Sequence, residues 1–232
     1  MDAGDWISVG ATLIAAASFV WGVVSWRTAY LGQKKIELAE QVYELFLTCA
    51  DHLSAIRSPF GYVGEGASRQ RAENESARET EIYDRAYVAL ERLEKRGDDF
   101  NKLFSLMPRF EFYFGPNATL PIKTLGEVLR DIRNASKMLR HYWLQQGQPF
   151  QDPGAFDRHL AQMHRHEAVF WDGGGDDDPI RPRIALAVTS IKSTCTSVLN
   201  PQPNLWRGLK RGLLKLEKFV ERPKDLDSDN PA

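Results

Sequence analysis

The longest apolar pattern in the chain is a run without a charged residue, WISVGATLIAAASFVWGVVSW, from Trp6 to Trp26. At about 1.5 Å per helical residue, its roughly 21 residues cover about 30 Å, the hydrocarbon thickness of a bilayer. A tryptophan stands at either end, where indole favours the water–lipid interface. The run therefore predicts a transmembrane helix over 6–26, with the lipid bilayer as its first partner. Its leader, MDAGD, has no Lys or Arg, and the apolar core is too long for an ordinary signal sequence. Arg27, Lys34 and Lys35 follow the run, whereas only Asp2 and Asp5 precede it. By the positive-inside rule this predicts an external N-terminus over 1–5, a single pass through a cell inner membrane, and a cytoplasmic C-terminal domain.

Small residues recur within the run at alternating steps of four and three: Ala11, Ala15, Ser18, Gly22 and Ser25, continuing to Ala29 and Gly32. Small side chains let helix backbones approach closely, so the seam predicts self-association and a homo-oligomer.

Downstream the period stays helical. Ile36, Ala39, Tyr43, Phe46, Ala50 and Leu53 extend the first helix until Pro59 and the following glycines stop it. A continuous rod of this kind would couple movement at one end to the other. Ile82, Ala86, Leu90, Leu93, Gly97, Phe100, Phe104 and Met107 mark a second helix, which Pro108 is expected to interrupt and RFEFYFG with Gly115 and Pro116 to close. A third runs from about Leu120 to Gln146, with Leu125, Leu129, Ile132, Leu139, Tyr142 and Trp143 inward. After the breaker GQPFQDPG comes the shorter FDRHLAQMHRHEAVFW, and Asp178 is placed to cap a last core helix that Pro179 opens and Leu199 ends. The fold class is all-α: a four- or five-helix cytoplasmic bundle over 27–200.

The end of the chain, NLWRGLKRGLLKLEKFV, reads as a basic amphipathic helix over 204–220. Trp206, Arg207, Lys210, Arg211, Lys215 and Lys218 suit a membrane surface, with docking on the bundle as the alternative. Residues 221–232 read as a disordered tail.

Composition adds exclusions more than assignments. Lys plus Arg is 30 against Asp plus Glu 31, so no global basic excess points to DNA. Cys49 and Cys195 lie far apart and form no disulfide framework, which fits a reducing compartment. A length of 232 residues suits one globular domain.

Three stretches invite chemistry. His159, His164 and His166 stand near Glu167, Asp172 and Asp176 to Asp178, but His164 and His166 point to different sides of a helix. Neither HExxH, paired cysteines nor EF-hand periodicity is present, so neither a metal nor another cofactor is expected. The glycines of SPFGYVGEGASRQR precede Arg69 and Arg71, which could hold a phosphate, although the Gly-Lys-Ser/Thr ending of a P-loop is missing. Arg158 and His164 form a string that resembles the Arg-x4-6-His motif of the HEPN ribonuclease superfamily. That resemblance implies a helical dimer in which Arg158 and His164 activate a ribose 2′-hydroxyl and stabilise the phosphate transition state.

A wider resemblance is carried by YLGQKKIELAEQVYELF, AIRSPFGYVGEG, DRAYVALERLEK and FWDGGGDDDPI, which look like a group of uncharacterised bacterial single-span membrane proteins. It implies the architecture above and no assigned activity. The sequence reading is therefore a membrane-anchored helical scaffold, sensor or effector that binds and couples, self-associates through its span and takes an unknown protein partner. A tethered HEPN-like ribonuclease and a sensor of a phosphate-containing ligand are the alternatives.

Overall fold

The computed structural model describes residues 3–150, 152–173 and 178–199, the side chains of 3–11, 13 and 153 excepted. Five α-helices make the fold: α1 (Ala3–Arg57), α2 (Ala77–Phe114), α3 (Leu120–Gln145), α4 (Pro153–Phe170) and α5 (Arg181–Leu199). A 3₁₀ turn, Pro116–Thr119, joins α2 to α3, and no strand occurs among the described residues.

With 55 residues, α1 extends about 80 Å. Only its C-terminal part belongs to the bundle, where Leu38, Ala39, Val42, Phe46, Cys49, Leu53 and Ile56 are buried. There α1 packs against α2 and α5, α2 against α3, and α3 against both α4 and α5. Leu103 and Phe110 of α2, Ile122, Leu125, Ile132 and Leu139 of α3, Phe170 of α4 and Ile191 of α5 complete one continuous core.

Element boundaries follow from local chemistry. Ser76 and Glu79 form a reciprocal capping box at the start of α2, the Ser76 hydroxyl accepting from the Glu79 amide and the Glu79 carboxylate from the Ser76 amide. Gly115, at φ +86°, ends α2 in a conformation that favours glycine. Asp152 accepts the Ala155 amide at 2.6 Å and starts α4. As the sequence predicts, Asp178 caps α5, accepting the amides of Ile180 at 2.8 Å and Arg181 at 3.3 Å.

Three expectations need correction. Among the described residues no helix is long and apolar enough to cross a membrane. This overturns the transmembrane helix over 6–26 and, with it, the single-pass inner-membrane placement with an external N-terminus. Within the described stretch the small and polar Thr12, Ser18, Gly22 and Ser25 dilute the apolar side chains, and Arg27 follows them.

The second correction concerns α2, which passes through Pro108 and ends only at Phe114. Pro108 is exposed, so its missing N–H and displaced carbonyl partner face water rather than the core. The third concerns the inward face of α1. It is centred on Val42, Phe46 and Cys49, leaving Ile36 exposed and Tyr43 and Ala50 only half-buried. The basic helix over 204–220, with Trp206, Arg207, Lys210, Arg211, Lys215 and Lys218, lies outside the described residues, as do the 221–232 tail and Asp176 and Asp177.

Candidate functional site

From Ile14 to Leu31 every side chain of α1 is exposed, the apolar ones included. Phe19 is 73% exposed and Trp21 78%, and Ile14, Val20, Val23, Val24, Trp26, Tyr30 and Leu31 are exposed with them. The small-residue seam lies on this arm: Ala15, Ser18, Gly22, Ser25 and Ala29 are all exposed, while Ala11 lies within the helix with its side chain outside the described set. A side chain built at Gly22 or Gly32 would meet nothing within 4 Å. Glycine inside a helix costs about 1 kcal/mol relative to alanine, and packing among the described residues does not explain either one.

The seam repeats every 3.5 residues on average, the period of helices that wrap around one another. Ile14 and Trp21 flank it on one side, Phe19 and Trp26 on the other. The arm thus presents a shallow groove of small residues between two walls of large apolar ones. Trp26 and Tyr30 stack at 5.8 Å and stiffen one wall.

The arm joins the bundle without a hinge, because α1 is one helix to Arg57. Arg57 then fastens three helix ends. Its guanidinium donates to the carbonyls of Ala168 and Val169 at 2.9 Å and of Trp171 at 2.8 Å, and to Asp178 Oδ1 at 2.9 Å. Both side chains of the Arg57–Asp178 pair are buried. Burial pushes the Asp178 carboxyl up, but the Arg57 guanidinium and the Ile180 amide outweigh it and hold the group below the usual carboxylate range.

The loop after α1 is held in the same manner. Arg92 Nε and Nη2 donate to the two oxygens of Glu65 at 2.7 Å, and the same guanidinium reaches the carbonyls of Ser58 and Phe60 at 2.6 Å. Glu91 accepts the Gly66 amide at 2.6 Å. Gly66 has φ +88° and lies so close to α2 that an added Cβ would stand 1.9 Å from the Asp84 carbonyl oxygen. Beyond this latch Phe60, Tyr62 and Val63 are exposed.

Arg69 and Arg71, the candidate phosphate ligands, both meet carboxylates. Arg69 donates to Glu75 with both terminal nitrogens and to Asp84 at 2.6 Å, and stacks over Tyr83. Arg71 reaches Asp84 at 2.8 Å. The Arg69 guanidinium pulls the Glu75 carboxyl down to about 2, with help from the Ala72 amide. The neighbouring cleft of about 470 Å³ is bordered by Glu65, Glu81 and Asp84 as well as Arg85 and Arg92, a mixed lining in place of a basic one.

On α4, Arg158 and His164 are exposed, and six residues of helix separate them by about 120° around the axis. Arg158 turns back to Asp152 at 3.9 Å. His159, between them, is buried against Phe150 and Tyr142, whose ring centroids lie at 4.9 and 5.5 Å, and its Nε2 has no hydrogen-bond partner among the described residues. Burial lowers the pKa of His166, which stacks on Tyr142 at 5.6 Å. Among the described residues no group of three His, Cys, Asp or Glu converges to hold a metal ion. Burial pushes the Cys49 thiol up to about 12 and Cys195 up to about 11, so neither is a nucleophile at neutral pH.

Sequence reasoning missed Arg57, Arg92 and Glu91 as positioning residues. The available signal was a charge falling on the apolar side of a helix, as Arg92 does beside Leu93. Comparison with family models, with curated proteins and with solved structures gives no match.

Proposed function

We propose that the protein is a helical binding and coupling module that assembles with copies of itself through the projecting arm of α1. The observation that carries this reading is the exposed apolar arm itself, with its glycines that nothing among the described residues approaches within 4 Å of an added side chain. Covering Ile14, Phe19, Trp21 and Trp26 would contribute roughly 6 kcal/mol or more per copy, enough to offset a large part of the cost of association. The occupant that fits a small-residue seam of regular period is the same seam on a second copy, because like positions then meet at one level along both helices.

Since α1 enters the bundle unbroken and Arg57 ties its end to α4 and α5, the arm and the bundle move as one piece. Assembly through the arm would therefore fix the spacing and orientation of the bundles, the property a scaffold or signal-coupling protein requires.

The test is the mass of the full chain in solution by sedimentation, with Ala15→Ile and Gly22→Ile as variants. A Cβ at Gly22 has open space in the single chain, so these changes leave the bundle intact and act only on assembly. The dissociation constant is expected to rise tenfold or more, equivalent to about 1.4 kcal/mol. A wild-type chain that sediments as a monomer, or variants that assemble as tightly as wild type, would overturn the reading.

A further inference from the structure

Between α2 and α3 runs a cleft of about 620 Å³, within the range of small-ligand sites. Its floor is apolar, made by Leu93, Phe100 and Leu129 with the half-buried Leu90 and Phe104. Two interior glycines open it. Gly97 on α2 has nothing within 4 Å of an added Cβ, and Gly126 on α3 would only graze the Phe104 ring at 3.8 Å. Helix-to-helix contact does not require Gly97, so this helix-weakening residue serves to keep space free.

The walls carry opposite charge. Glu94 and Asp98 stand four residues apart on α2, and Arg133 and Lys137 four residues apart on α3. Each pair is repulsive along its own helix. α2 and α3 are joined by a short turn, which sets the acidic wall opposite the basic one. Even so, none of these carboxylates comes within the 4.0 Å of Arg133 or Lys137 that would make a salt bridge among the described residues. Glu94 is anchored instead by the Tyr87 hydroxyl at 2.6 Å. Asp98, Arg133 and Lys137 line the opening without a partner among the described residues, on either side of an apolar floor.

We infer that this cleft binds a small zwitterion with an apolar body, of the class of a short apolar peptide with both termini free. Asp98 takes the ammonium end, Arg133 and Lys137 take the carboxylate, and the floor takes the side chains. The inference does not depend on self-association, since the cleft lies in the bundle and not on the arm.

The experiment is calorimetric titration of the full chain with L-phenylalanyl-L-phenylalanine, its N-acetyl form and its C-terminal amide. The free dipeptide should bind, and blocking either end should raise the dissociation constant tenfold or more. Gly97→Leu fills the cleft and should abolish binding without lowering Tm, and Gly97→Ala controls for the change in helix propensity. Arg133→Gln with Lys137→Gln should weaken the free dipeptide while leaving the amide unaffected. Failure of the free dipeptide to bind at millimolar concentration would overturn the inference. So would equal binding of free and blocked forms, or unimpaired binding by a folded Gly97→Leu variant.

Discussion

Replacing Arg57 with methionine removes the group that holds the ends of α1, α4 and α5 together. The methionine fills much of the volume of the arginine stem but leaves Asp178 charged, buried and without a counter-ion. It also strips donors from the carbonyls of Ala168, Val169 and Trp171. Removing one partner of a buried ion pair costs about 3–5 kcal/mol, because the stranded charge retains its desolvation penalty. For a chain of this length that corresponds to a Tm lower by roughly 6–20 °C.

The cycle is completed with Asp178→Asn, which retains an oxygen for the Ile180 and Arg181 amides but carries no charge. In the double variant the stranded charge is gone, so its loss should fall short of the sum of the single losses by about 2 kcal/mol or more. Urea unfolding of all four proteins, with unchanged m-values, measures this. A loss below about 1 kcal/mol for Arg57→Met, or a coupling below about 0.5 kcal/mol, would refute the reasoning. The pH dependence has a fixed sign. Because the folded Asp178 pKa is depressed, its stabilisation is present above the ordinary carboxylate value and is lost as pH falls through the folded value.

Two further outcomes are expected. The loop between α1 and α2 is latched by Glu65, Glu75 and Glu91, whose pKa values are lowered chiefly by Arg92, Arg69 and Lys95 respectively. Its protection should therefore be complete above about pH 4.5 and vanish as pH falls toward the Glu75 value of about 2. Hydrogen exchange at the Gly66 and Ala72 amides, corrected for the intrinsic rate, reads this out, and protection that is flat across the window would refute it. Pro108→Ala should stabilise the chain by about 2 kcal/mol, since an interior proline costs about 3 kcal/mol while its stiffness in the unfolded chain returns part of that. No rise in Tm would show that α2 is adapted to Pro108.

Periodicity made most of the helices legible. The boundaries of α3, the stop at Gly115 and Pro116, and the Asp178 cap follow from local chemistry that acts within a few residues, whereas α4 begins at Pro153, inside the stretch GQPFQDPG that reads as a breaker. The candidate sites were less legible, because the role of a charge depends on what the fold brings beside it. Arg69 beside three glycines reads as an anion ligand, but the chain returns to place Glu75 and Asp84 against it. Arg158 and His164 satisfy a spacing, yet both are exposed on different sides of α4.

What the sequence by itself determined is the helical character, the order of the elements and the seam of small residues, all of which depend on neighbours within a turn or two. Tertiary structure alone decided which turn of α1 meets the bundle. It also decided which arginines are consumed by carboxylates distant in sequence and where two helices remain parted over Gly97. Those outcomes turn on contacts between residues tens of positions apart, and one-dimensional spacing carries no information about distance between helices.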